Sequence, residues 1–134
     1  MKTIWSIITV VSLGLLLSIT ACEKDEDPEQ EYKTYSVEYV LKNNLNQGKR
    51  FIITYKNPNY ANQTTEQFES IKDTVSFKFE AKSLDYLYLS AQSQNDTANY
   101  EISIFVDAVK VIMDSASCNW QCDSTFVEIT YALP

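Results

Sequence analysis

The side chains in this sequence best suited to chemistry are three cysteines (Cys22, Cys118, Cys122), five acids beside apolar runs (Asp73, Asp85, Asp107, Asp114, Asp123) and Trp120. Histidine is absent, which excludes imidazole acid–base catalysis and any nucleophile–imidazole pair. Gly-rich phosphate loops are absent too. Cys118 and Cys122 without an imidazole do not complete a tetrahedral zinc site, and their spacing is not the Cys-x-x-Cys of redox enzymes. A bridge between them requires Cys118-Asn119-Trp120-Gln121-Cys122 to turn back or make one helical turn, because residues four apart on an extended strand are too distant to bond. So small a ring stabilises by about 2 kcal/mol in the loop-entropy model. A carboxylate pair remains open as a catalytic device, with turn capping as the plainer role of the acids. No cofactor or metal is indicated, and the expectation is a protein that is not an enzyme.

The N-terminus sets the compartment. Lys2 precedes an uncharged apolar stretch from Ile4 to Ala21, diluted by Ser6, Thr9, Ser12, Gly14, Ser18 and Thr20. It ends in Ile19-Thr20-Ala21-Cys22, which resembles the bacterial lipoprotein lipobox, with Ile19 where Leu is usual. The resemblance implies a signal peptide over 1–21 and lipidation of Cys22; the competing reading is an uncleaved membrane anchor. Several acyl chains on one residue anchor stably, each buried methylene adding about 0.8 kcal/mol. The partner this implies is a membrane, reached through palmitate-type acylation. With Cys22 removed from an odd count, Cys118 and Cys122 form the expected disulfide of an exported protein.

Residues 22–33 read as a lipidated cysteine and an acidic tether, since Glu23 to Glu31 is mostly acid with one Pro and has nothing to bury. Lys24-Asp25-Glu26 resembles the surface-export signal of Bacteroidota lipoproteins, which implies the outer membrane, lipid-anchored and surface-exposed; a periplasm-facing spacer is the alternative. The whole chain has 134 residues and a formal charge of −7, so it fits one domain and lacks the basic face that nucleic acid demands. Its 45% hydrophobic and 13% aromatic content is too rich for a disordered acidic chain.

From Thr34 to Pro134 the pattern has period two. Tyr35-Val37-Tyr39-Leu41, Phe51-Ile53-Tyr55, Val75-Phe77-Phe79, Leu87-Leu89-Ala91, Tyr100-Ile102-Ile104-Val106, Val109-Val111-Met113 and Val127-Ile129-Tyr131 alternate with polar residues. About seven such runs predict an all-β, immunoglobulin-like antiparallel sandwich. Thr64 to Lys72 is the best helix candidate, a turn or two long, with Phe68 and Ile71 three apart. Gly48 is the only glycine after the leader, so asparagine is expected at most positive-φ positions, at Asn43-Asn44, Asn57-Pro58-Asn59 and Asn95-Asp96. Ala108 disfavours a two-residue hairpin turn after Asp107, which points to a longer loop or displaced strands there.

Phe51-Ile52-Ile53-Thr54-Tyr55, Tyr86-Leu87-Tyr88-Leu89-Ser90-Ala91-Gln92-Ser93, Ile102-Ser103-Ile104-Phe105-Val106-Asp107 and Ser115-Ala116-Ser117 resemble, in order, the soluble domain of the small mycobacterial membrane proteins (MmpS) and related exported domains of Bacteroidota lipoproteins. The family pattern has Gly where Ala108 and Cys118 stand, a turn at Ser-Ala-Ser, and a transmembrane helix where Cys22 stands here. The resemblance implies an immunoglobulin-like sandwich on a membrane tether and, more remotely, a subunit assisting an envelope lipid or drug transporter.

Three features bear on partners. Trp120 in its ring reads either as a presented anchor or as a cap folded onto the core. Tyr86 and Tyr88, on the outward side of their strand, read either as a protein- or carbohydrate-binding face or as ordinary cover for a sheet. Asp73-Thr74, Asp96-Thr97, Asp114-Ser115 and Asp123-Ser124, each followed by a small or apolar residue or by Thr, resemble Bacteroidota O-glycosylation acceptors, which would place glycans on Thr74, Thr97, Ser115 and Ser124; Asp-Ser and Asp-Thr also start ordinary turns. The expected function is a non-enzymatic envelope lipoprotein that binds a protein or glycan partner. A transporter accessory subunit and an inhibitor of a secreted hydrolase are the alternatives.

Overall fold

The computed structural model describes residues 31–94, 97–120 and 122–134. The leader, Cys22, the tether as far as Gln30, the Asn95-Asp96 turn and Gln121 lie outside the described residues. Tyr32–Pro134 forms one compact unit, so Tyr32 and Lys33 belong with the domain.

The alternating runs become strands because each supplies an apolar face at every second residue and polar residues between. In chain order they are β1 (Thr34–Asn43), β2 (Lys49–Lys56), β3 (Thr64–Ile71), β4 (Thr74–Lys82), β5 (Tyr86–Gln94), β6 (Ala98–Val106), β7 (Val109–Cys118) and β8 (Ser124–Ala132). Two antiparallel sheets form, β4-β1-β6-β7 (sheet one) and β3-β2-β5-β8 (sheet two). The antiparallel β-sandwich read from the alternation is thus what forms, with eight strands. Val37, Tyr39 and Leu41 of β1 and Ile102 and Ile104 of β6 meet Phe51, Ile53, Leu87 and Leu89 from sheet two, all buried. Two tyrosines stitch the sheets through their polar tips. The Tyr39 hydroxyl donates to the Lys56 carbonyl at 2.7 Å and accepts from Tyr88 N at 3.2 Å. The Tyr100 hydroxyl donates to the Thr125 carbonyl at 2.7 Å, with the Ala91 carbonyl at 3.0 Å.

The extra strand corrects the helix expected at Thr64 to Lys72, which is β3. Phe68 sits opposite Phe51, the Thr65 and Thr54 hydroxyls meet at 2.9 Å, and Glu66 accepts from the Tyr55 hydroxyl at 2.7 Å. Pairing with β2 satisfies this backbone along one edge, whereas a helix of one or two turns cannot repay its nucleation. On β7 a bulge between Ile104 and Phe105 of its partner sets Ile112 opposite Ile104, so Val109 and Met113 are exposed and do not form an inward run. Ser115-Ala116-Ser117, a turn in the family pattern, continues this strand as far as the Cys118–Ala98 pair.

The turns depart from expectation. Positive φ occurs at Leu84 (70°), Asp107 (48°) and Ala108 (65°), and at no described asparagine. Asparagine works instead through its side chain: Asn43 Oδ1 accepts from Leu45 N, and Asn57 Oδ1 accepts from Asn59 N. Val106 pairs with Val109, so Asp107-Ala108 is a two-residue turn after all. β1 holds it there, with Asp107 N donating to the Ser36 carbonyl at 2.8 Å and Asp107 Oδ1 accepting from Ser36 N at 3.0 Å. Gly48 has no positive φ; a Cβ there would meet the Ser70 hydroxyl, which would have to turn aside to admit it.

The register also defines two ends. At the entry end, Thr34 pairs with Lys82, Ser83 N donates to the Lys33 carbonyl, Leu133 N donates to the Asp85 carbonyl, and the Asp107-Ala108 turn docks on Ser36. At the far end, Asn43 N donates to the Asp73 carbonyl, Asn44 N donates to the Asn99 carbonyl, and Ala98 pairs with Cys118. A ten-residue β1 separates them by about 33 Å.

Candidate functional site

At the far end, Cys118 closes β7 and Cys122 stands just ahead of β8. They are bonded, with Cα atoms 6.3 Å apart, because the chain bends back at Asn119-Trp120. The Trp120 carbonyl oxygen lies 3.0 and 3.2 Å from the two sulfurs, which carry no proton to donate. The Trp120 side chain is 81% exposed, so it does not cap the core. Cys118 and Cys122 pack against the core, while Trp120 between them faces solvent.

Thr74, Thr97, Ser115 and Ser124, each preceded by Asp in the sequence, lie at this same end. Thr74 and Ser115 lie in one row across the outer face of sheet one, linked in register through Lys42 and Glu101. Thr74 and Ser115 are exposed, as is Ser124, the first residue of β8, opposite Gln94. Thr97 is half-buried and accepts from Lys49 Nζ at 3.4 Å. The neighbouring acids do local work as well: Asp73 Oδ1 accepts from the Thr74 hydroxyl and Asp114 Oδ1 from Ser115 N. Between Thr74 and Ser115, the Lys110 ammonium 3.2 Å from Glu101 holds that carboxyl below the usual range; desolvation opposes this in part, and the Ser103 hydroxyl adds to the lowering. Lys78–Glu38, at 3.6 Å, continues the pairing across a charge-laced, solvated face.

The tyrosines lie elsewhere. Tyr86 is exposed on the outer face of sheet two at the entry end, and Tyr88 is half-buried with its hydroxyl donating to Glu128 at 3.2 Å. They are not brought to Trp120. Phe126, exposed on the same face opposite Gln92, was missed from sequence although the inward run Val127-Ile129-Tyr131 implied that it points outward.

Asp73, Asp85 and Asp107 serve turns at opposite ends, with Asp85 accepting from Lys82 N at 2.7 Å and Asp107 from Ser36 N, whereas Asp114 lies within β7 opposite Ile102 and Asp123 is exposed ahead of β8. Burial pushes the Tyr55 and Tyr100 hydroxyls up to about 12 and raises Tyr39 as well, so all three serve as neutral donors. A shallow hollow of about 300 Å³ between Pro58, Asn59, Glu80, Lys82 and Asp85 opens at the entry end. No family model matches the chain, and no curated protein matches it.

Proposed function

We propose that this protein is a non-enzymatic envelope lipoprotein, held to the outer membrane by acyl chains on Cys22, that binds a protein or glycan partner through the end carrying Trp120. The observation that carries the reading is an indole 81% exposed on a disulfide-closed loop, at the end opposite the one where the chain enters the domain. An anchored domain meets partners at the end away from its tether, and a large aromatic on a short closed ring is ordered before binding, which is how hot spots economise on entropy. Lys24-Asp25-Glu26 supports a surface-exposed location. Glycans on Thr74, Thr97, Ser115 or Ser124 would surround the same end.

A photo-cross-linking residue at position 120, activated on intact cells, tests the binding role. A discrete adduct at 120 that is absent from position 78 on the solvated face supports it. An envelope transporter in that adduct would select the accessory-subunit reading, and a secreted hydrolase the inhibitor reading. No adduct, or equal adducts from both positions, overturns it. Intact mass tests the glycans.

A further inference from the structure

Of the eight exposed large hydrophobic side chains among the described residues, five belong to the entry end: Tyr32, Tyr60, Leu84, Tyr86 and Val109. They come from separate segments that the register and turn hydrogen bonds bring to one end. Tyr32 precedes β1, and Tyr60 lies in the β2–β3 loop that Asn59 fastens to the Glu80 carbonyl at 2.8 Å. Leu84 and Tyr86 flank the β4–β5 turn closed on Leu133, and Val109 follows the Asp107-Ala108 turn. Leu84 is the extreme case, 69% exposed at a turn tip with φ 70°, a conformation leucine rarely adopts. Lys33 and Lys82 are exposed around them, while Asp85 and Asp107 direct an oxygen each to backbone amides.

We infer that the entry end is a membrane-docking surface: it lies on the lipid bilayer, with Leu84 at the boundary between headgroups and acyl chains and Tyr32, Tyr60 and Tyr86 at headgroup level. The composition is that of an interfacial belt, in which tyrosine places an apolar ring against lipid and its hydroxyl in water while lysine reaches lipid phosphates. The occupant is a bilayer because this end is the one the chain enters: the segment from Cys22 to Tyr32 spans at most about 35 Å, so acyl chains on Cys22 keep this end within reach of lipid. The inference rests on lipidation of Cys22. It adds a fixed orientation, in which the domain stands on its entry end with Trp120 uppermost.

The test uses full-length protein extracted from membranes and reconstituted in phosphatidylcholine vesicles carrying brominated acyl chains, with Trp5→Phe in every variant. Trp120 then reports the far end. Leu84→Trp and, separately, Tyr60→Trp, each combined with Trp120→Phe, report the entry end from two different loops. Emission of the indole introduced at 84 or 60 should fall about twofold, as expected within the shallow burial depth of an interfacial group, while Trp120 emission stays unchanged. Protein that floats with the vesicles yet shows no quenching at either introduced position overturns the inference and leaves the anchor standing. Quenching of Trp120 overturns it as well, since the domain would then lie on its side. Protein that fails to float overturns lipidation of Cys22 and the inference together.

Discussion

Replacing Ala108 by glycine should stabilise the domain. Ala108 holds φ 65° behind Asp107 at 48°, and β1 fixes the turn through two hydrogen bonds between Asp107 and Ser36, so the chain cannot relax away from the left-handed region without breaking them. A residue with a Cβ costs about 1–2 kcal/mol in that region. Glycine removes this but adds about 0.5–1 kcal/mol of unfolded-state entropy. The net gain is about 0.5–1 kcal/mol, equivalent to a rise in Tm of roughly 2–8 °C for a domain of this size. Urea melts of Ala108→Gly and wild type, followed by far-UV circular dichroism, should differ by about 0.4 M in midpoint at equal slope. Ala108→Val should shift the midpoint the other way, because a β-branched side chain is stiffer against positive φ. An unchanged or lower midpoint for Ala108→Gly would refute the reasoning, since the turn would then carry no strain to release.

Gly48→Ala should destabilise by no more than about 1 kcal/mol, since it displaces the exposed Ser70 hydroxyl, and Ser70→Ala should restore most of that loss in the double variant, measured by the same melts. Reducing the Cys118–Cys122 bond should expose two thiols to Ellman's reagent and lower stability by about 2 kcal/mol. Because burial raises the Tyr55 and Tyr100 hydroxyls to about 12, the stability they contribute is fully present below pH 10, their ordinary value, and is lost as pH rises from 10 to 12. Tyrosinate absorbance should therefore show a late step near pH 12 in the native protein that urea moves down towards pH 10. Glu101 titrates in the opposite sense: its lowered carboxyl gives stability above the ordinary carboxylate range that is lost on acidification, and Glu101→Gln should flatten the acid limb of the stability profile.

The fold was legible because burial imposes period two, and the inward residues of β1, β2, β5 and β6 are the ones the alternation marks. β3 was not legible, since its inward residues Phe68 and Ile71 straddle an edge strand and mimic helical spacing, while the pairing with β2 that decides the matter is non-local. The Asp107-Ala108 turn was misread for a related reason: local preference argues against alanine at positive φ, yet Ser36, far away in sequence, enforces it. The Cys118–Cys122 bridge was readable from spacing and parity, but the exposure of Trp120 depends on what fills the space beneath the loop. The grouping of apolar side chains at the entry end was invisible, because no two of its contributing loops are marked as neighbours by anything local.

Anchorage through Cys22 underlies both the proposed role and the docking surface, and the intact mass of the protein extracted from membranes tests it most directly. It predicts a chain that begins at Cys22, lacks residues 1–21 and carries added acyl mass, with labelled palmitate incorporated into wild type but not into Cys22→Ala. An unacylated chain retaining Met1, or equal incorporation by Cys22→Ala, would contradict it.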